Sequence, residues 1–498
     1  MNLHFSRLGD RGRYGLFALC FALFWLGVIS YLSFNPPIDT AEQLTWSRHF
    51  DWGYYKHPPL TTLLLIPFVR LFGLHEWVPG LLGATLTLGA FYMLWDWIRG
   101  LQGARTAWIT LFCLTSVSTY AYRLHYYNHD VVLMVTYLLA ARLCWNVLVR
   151  GALKDWAWAG FALGLACLAK YQAALILPAL ALVALRFKLW QREGAVKGLV
   201  LATLCGLLVV MPHIVWLVHH DFLPFTYVQD TSLDRGQEGW AQMRHVGNWF
   251  LNQVQRVLGV GVMALLLWLG QKWTTLQDVT TSETTPATQW GFYLAALGWT
   301  PLVCMLLLGV STQMYLQPHW MAPFFPLWVA WWACRPGTVR WFAKQPMRRI
   351  VLAYLVVQLI LAYVSWGTSV RGGYWGGKRY NRDFQSQKAA DQLQSLTRQD
   401  FPDGVPLVIG LSNIADVISL RLPNRPPVLV EGRLLYSPWL PAGLLQEKGG
   451  LLVVQNIHEV QGQLNAMQMG AQHCALRSLP TYGLHWCVIK AGTPAALH

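Results

Sequence analysis

Eleven stretches of about 15 to 20 residues carry little charge, at 14–34, 79–98, 106–120, 130–148, 156–170, 172–187, 198–218, 251–270, 290–310, 320–334 and 350–367. A helix of roughly this length and apolarity is what crosses the hydrocarbon core of a bilayer, where only helices and closed barrels satisfy their own backbone. The 498 residues are 55% hydrophobic and 12% charged, about half the charge content of a soluble domain. An ordinary cytosolic protein, a disordered chain and a collagen-like repeat are therefore excluded. The expectation is an α-helical polytopic membrane protein with about eleven transmembrane helices.

A net charge of +15 on a soluble chain would suggest nucleic acid, but here the useful question is on which side of the membrane the cations lie. With the N-terminus inside, Arg7, Arg11, Arg13, Arg99, Arg105, Arg150, Lys154, Arg186, Lys188, Arg192, Lys197, Lys272, Arg335, Arg340, Lys344, Arg348 and Arg349 fall in cytoplasmic segments. Outer segments before the C-terminal region keep Arg48, Lys56, Arg70, Arg123, Lys170, Arg235 and Arg244. Residues 60–73, preceded by Pro58-Pro59 and containing Pro67 and Arg70, read as an interfacial helix, because counting them as a span weakens this bias. Run 14–34 is too long for a signal-peptide core and is expected to be a retained anchor. Nearly every histidine, and most acids of the membrane region, then fall on the outer face. No nucleic-acid partner is expected.

The expected domains are a transmembrane module, 1–367, with outer loops 35–78, 121–129 and 219–250, and a small extracytoplasmic α/β domain, 368–498. The second follows a Gly372–Gly377 linker and reads as strands at 406–410, 427–430, 451–455 and 486–490 around helices at 414–420 and 460–469. Cys474 and Cys487 flank a turn there and can either bridge, if the domain is outside the cytoplasm, or stay reduced. The other seven cysteines lie in or beside apolar runs as small buried hydrophobes. No phosphate-loop or dinucleotide signature is present.

Chemistry-bearing residues gather in the outer loops. Asp39 follows the first span, where a carboxylate can take a proton from a substrate hydroxyl; Asp39 and Glu42 equally match a helix N-cap with an acid three residues on. Lys56, beside His57 and the rigid Pro58-Pro59 pair, suits a lipid phosphate, or simply bulk headgroups and membrane lipids. Asp130 opens the next span as a helix cap or as a second acid of the site. His125, His129 and Asp130 can offer ligands to a divalent metal, without a recognised metal spacing. Lys170 in its tight turn can snorkel to the interface or bind phosphate, and Arg235 and Arg244 lie in a long polar loop.

Asp39 after the first span, Tyr54-Tyr55-Lys56-His57-Pro58-Pro59-Leu60, Asp130 heading a later span and Gly164-Leu165-Ala166-Cys167-Leu168-Ala169-Lys170 together resemble the GT-C glycosyltransferases. The resemblance is to bacterial relatives of the dolichyl-phosphate-mannose protein mannosyltransferases and lipid A aminoarabinose transferases, and is strongest over 14–260. It implies a GT-C fold in the bacterial inner membrane, with an active site and C-terminal domain facing the periplasm. The implied reaction moves a sugar from a polyprenyl (undecaprenyl) phosphate donor to lipid A, lipopolysaccharide or another glycan or lipid acceptor, with inversion. Asp39 becomes the base, Glu42 and Asp130 further acids, and Lys56, His57, Lys170 and Arg235 donor-phosphate residues. The family pairs two adjacent acids after the first span, where this chain has Asp39-Thr40; its lysine directly precedes the prolines, where this chain has His57. A transporter or flippase would instead gather charge near the midplane on broken helices, and a ligase would use a diphosphate-linked glycan.

Overall fold

In the computed structural model the described residues are 9–33, 35–233, 238–271, 287–370 and 384–493. The linker 372–377 and Arg235 lie outside them. The chain divides into two compact units, one of residues 1–28, 56–61 and 82–365, the other of 29–55, 62–81 and 366–498.

The membrane region is mostly helical: α1 (Asp10–Leu32), α2 (Ile38–Trp46), α3 (Leu60–Phe72), α4 (Trp77–Thr115), α5 (Ser118–Tyr122), α6 (His129–Val149), α7 (Leu153–Ala169), α8 (Ile176–Phe187) and α9 (Ala195–His219). It continues as α10 (Leu223–Val228), α11 (Gly239–Gln271), α12 (Ala287–Ser311), α13 (Phe325–Ala333), α14 (Pro336–Ala343) and α15 (Met347–Val370). Among the described residues, seven of these are long and apolar enough to cross a membrane: α1, α4, α6, α9, α11, α12 and α15.

The difference from eleven has local causes. Runs 79–98 and 106–120 share the 39 residues of α4, interrupted at Gly103, whose φ of 83° and ψ of 164° only glycine adopts cheaply. Runs 156–170, 172–187 and 320–334 form α7, α8 and α13, of 17, 12 and 9 residues. The apolar run stops short in α7 because Lys170 is extended, at φ −165° and ψ 142°. Helix α3, with 13 residues, rises about 20 Å, too little for the hydrocarbon core.

The second unit contains a five-stranded sheet of order β2-β1-β3-β5-β4, with β1 (Val408–Gly410), β2 (Val428–Val430), β3 (Gly450–Val454), β4 (Arg477–Leu479) and β5 (Leu484–Ile489). β1 runs parallel to β2 and β3, whereas β5 is antiparallel to both β3 and β4. The three parallel strands are buried at every position, as strands covered on both faces must be. The expected helices occur at Ser412–Arg421 and His458–Ala466. Strand β4 was not expected, since Arg-Ser-Leu on a sheet edge lacks an alternating apolar pattern. Cys474 and Cys487 form a disulfide, with Cα atoms 5.4 Å apart.

Candidate functional site

In the first unit, the loop after α5 delivers several polar groups to one place. Gly83 on α4 lets that loop lie close, because a Cβ there would stand 2.2 Å from the Tyr126 carbonyl oxygen. Asn128 then caps α6: its Oδ1 accepts from Val131 N at 3.2 Å, satisfying one of the orphan amides at the helix start. Capping is thus not the work of Asp130, which sits within the first turn and faces a different partner. Lys170, where α7 ends, places its Nζ 2.7 Å from Asp130 Oδ1, and both residues are 6% exposed. His319 Nε2 is 3.7 Å from Asp130 Oδ2. Lys170 does not snorkel; it neutralises a buried carboxylate, and each charge depends on the other.

His57 and His129 lie with ring centroids 3.9 Å apart. Burial holds the His57 imidazole well below its ordinary pKa, reinforced by His129, Lys170, Lys56 and His319, so it is neutral near pH 7 and can donate one hydrogen bond without contributing charge. Lys56 is half-buried, its Nζ 5.2 Å from the centre of the Tyr227 ring. A cavity of about 40 Å³ is lined by Thr119, Tyr120, Arg123, Tyr126, Asn128, Asp130 and His319, among others. The Arg123 guanidinium lies 4.9 Å from the Tyr126 ring centre.

Helix α11 supplies a stripe that sequence reading missed. Gln242 Nε2 donates to the Gly309 and Met314 carbonyls, His245 Nε2 accepts from Leu316 N, Trp249 Nε1 donates to Gln317 O and Gln253 Nε2 to Pro318 O. These positions recur every three or four residues and so share one helical face. They fix the segment that ends at His319. One turn further, buried Arg256 donates to Thr119 Oγ1 at 2.9 Å, a contact permitted because Gly259 has no Cβ to strike the Ser116 carbonyl. The signal for Arg256 was present as an arginine inside an apolar run. His125, in the same loop as Arg123, has a pKa lowered to about 4 by burial and by Arg123. No group of three His, Cys, Asp or Glu able to hold a metal ion occurs among the described residues.

In the second unit, α2 begins at Ile38 after Pro37, two residues earlier than a capping role for Asp39 requires. Asp39 is half-buried in the first turn, where the helix dipole favours a negative charge. Glu42, one turn on and 5% exposed, accepts from the Tyr55 hydroxyl at 3.1 Å. Gln43 Oε1 accepts from Thr62 Oγ1, and Thr45 Oγ1 donates to Asp416 Oδ1 at 2.8 Å. Arg48 donates to the Arg425 and Pro426 carbonyls. The buried face of α2 is therefore tied by hydrogen bonds, while its first turn carries Asp39.

Residues 56–216 match the family model described as dolichyl-phosphate-mannose-protein mannosyltransferase. A lipid A galacturonosyltransferase, RgtD of Rhizobium johnstonii, is 23% identical over 219 residues, 44% of this chain and 46% of that protein. The matched stretch thus spans under half the length of that relative. The crystal structure of ArnT from Cupriavidus metallidurans bound to undecaprenyl phosphate superposes with a TM-score of 0.63 at 15% identity, covering 96% of this chain and 97% of that one. Its apo form gives the same TM-score over 95% and 98%. The chain is a multi-pass membrane protein that shares the fold of ArnT, the GT-C fold.

Proposed function

We propose that this chain is an inverting glycosyltransferase of the bacterial inner membrane, moving a sugar from a polyprenyl phosphate, such as undecaprenyl phosphate, to lipid A or a related periplasmic acceptor. The observation that carries the reading is the GT-C fold shared over 96% of the chain with a protein crystallised with undecaprenyl phosphate. The similarity to a lipid A galacturonosyltransferase supports the acceptor class. The Cys474–Cys487 disulfide supports an oxidising compartment for the C-terminal residues.

Asp39 removes the proton from the acceptor hydroxyl, and that oxygen attacks the anomeric carbon opposite the leaving lipid phosphate. Lys56 supplies positive charge to the departing phosphate, and neutral His57 donates a hydrogen bond to it. Lys170 acts from its ion pair with Asp130, keeping the carboxylate fixed beside the His57–His129 pair. Glu42 orients Asp39 from the next turn of α2, and Arg235 is a further phosphate ligand. The activation resides in the lipid-linked donor, so no nucleotide is needed.

The test follows transfer from radiolabelled polyprenyl phosphate sugars to a lipid A extract in membranes bearing wild-type or Asp39→Asn protein at equal level. The expected result is transfer by wild type and a loss of about 10²- to 10⁴-fold in the variant, the range for a missing general base. Full activity in the variant would remove Asp39 from the reaction. No transfer by wild type from any donor would favour a transporter.

A further inference from the structure

The second unit contains a chain of contacts that runs from the sheet to the acids of α2. Ser437 is fully buried against β2: its Oγ accepts from Val430 N at 3.0 Å and donates to Val428 O at 3.2 Å. Immediately before it, Tyr436 ends the short turn Leu434–Tyr436 and is 4% exposed. Its ring stacks on that of Tyr55, with centroids 4.4 Å apart and planes 14° from parallel. The Arg433 side chain closes the outer end, Nη1 donating to the Tyr436 hydroxyl at 3.1 Å. Tyr55, itself 2% exposed, donates its hydroxyl to Glu42 Oε1. Glu42 lies three residues after Asp39, and side chains at that spacing on a helix are neighbours.

We propose that Tyr436 is a positioning residue for the α2 acids: anchored to the sheet through Ser437, its ring fixes Tyr55 so that the Tyr55 hydroxyl holds Glu42 beside Asp39. The physical case rests on rotamer restriction. A carboxylate on a short helix samples several side-chain states, and a buried donor that is itself immobilised by stacking selects one of them. Trp46 meets the edge of the Tyr55 ring at 5.7 Å, and the parallel Tyr436 ring at 4.4 Å, held by a segment hydrogen-bonded to a strand, restrains its face. The contribution of Tyr436 is its ring, whereas that of Tyr55 is its hydroxyl, and the two are separable by substitution.

This inference rests on the reading of α2 as the acid-bearing helix of a glycosyltransferase, and the experiment separates the two. Full-length protein in lipid nanodiscs is assayed for kcat and donor KM. Tyr436→Leu is expected to lower kcat about tenfold, the equivalent of one well-placed hydrogen bond, with donor KM within about twofold. Tyr436→Phe keeps the ring and restores wild-type kcat, while Tyr55→Phe reproduces the Tyr436→Leu loss. The double variant Tyr55→Phe/Tyr436→Leu loses no more than Tyr55→Phe alone. Thr45→Val, which cuts a different tie of α2, lowers the melting temperature without changing kcat, as a merely structural contact should. Wild-type kcat in Tyr436→Leu, or losses that multiply in the double variant, would overturn the proposal. Should wild type transfer nothing, the functional reading fails, and thermal melts of Tyr436→Phe, Tyr55→Phe, Glu42→Gln and the Tyr55→Phe/Glu42→Gln pair still decide the contact chain. A pair that melts no lower than its worse single member supports it, and additive losses overturn it.

Discussion

At the start of α6, Asn128 caps the helix and Asp130 is closed off by Lys170 at 2.7 Å. At the start of α2 the chain enters through Pro37, and Asp39 remains half-buried in the first turn. Both aspartates lie in the first turn of a helix. The difference lies in burial: Asp130 is buried against a lysine counter-ion, whereas Asp39 is half-buried at its helix start.

The comparison breaks most sharply at Lys170. Lys170→Met leaves the Asp130 charge buried without its cation and is expected to cost about 3–5 kcal/mol in unfolding stability. The double change Lys170→Met/Asp130→Leu recovers most of that loss in the same thermal melts. A Lys170→Met protein as stable as wild type would mean that Asp130 does not depend on Lys170 for its burial. In the other unit, Cys474→Ser/Cys487→Ser opens a bridge spanning 13 residues and is expected to cost about 3 kcal/mol. Limited proteolysis should find that loss in residues 384–493 while α6 and α7 stay protected. Asn128→Ala removes the cap and should cost about 1 kcal/mol, while leaving the Asp130–Lys170 pair in place.

The smallest effect near neutrality comes from His125. Its folded pKa is about 4, below the ordinary 6.5, so the unfolded chain binds its proton first as pH falls. Stability attributable to this residue is therefore intact above about pH 6.5 and declines as pH drops toward 4. His125→Asn should flatten that part of a stability–pH curve measured by melting, with no matching change from substitutions in α2.

Apolar periodicity and length made the helical membrane region and the α/β composition of the C-terminal residues legible, because both follow from local pattern. Span counting was less direct: two apolar runs share α4, whose helical geometry breaks at Gly103, and α7 ends at Lys170 after 17 residues. The outer-loop acids were also visible, but not their duties. Whether Asp39 or Asp130 caps a helix depends on a two-residue register, which Pro37 and Asn128 decide. Residues 130, 170 and 319 meet only through tertiary folding, and a single sequence holds no record of such pairing. The α11 stripe from Gln242 to Arg256 was readable in principle, since polar residues at helical spacing beside an apolar run mark one face.

The Asp130–Lys170 pair also bears on biosynthesis. Helices α6 and α7 are joined by residues 150–152 and run as neighbours, so the two charges sit at the open end of a helical hairpin. A lone charge within a segment being threaded into lipid costs roughly 2.5–3.5 kcal/mol on insertion scales. Entry of α6 and α7 together would let the aspartate and lysine neutralise one another before either met acyl chains alone.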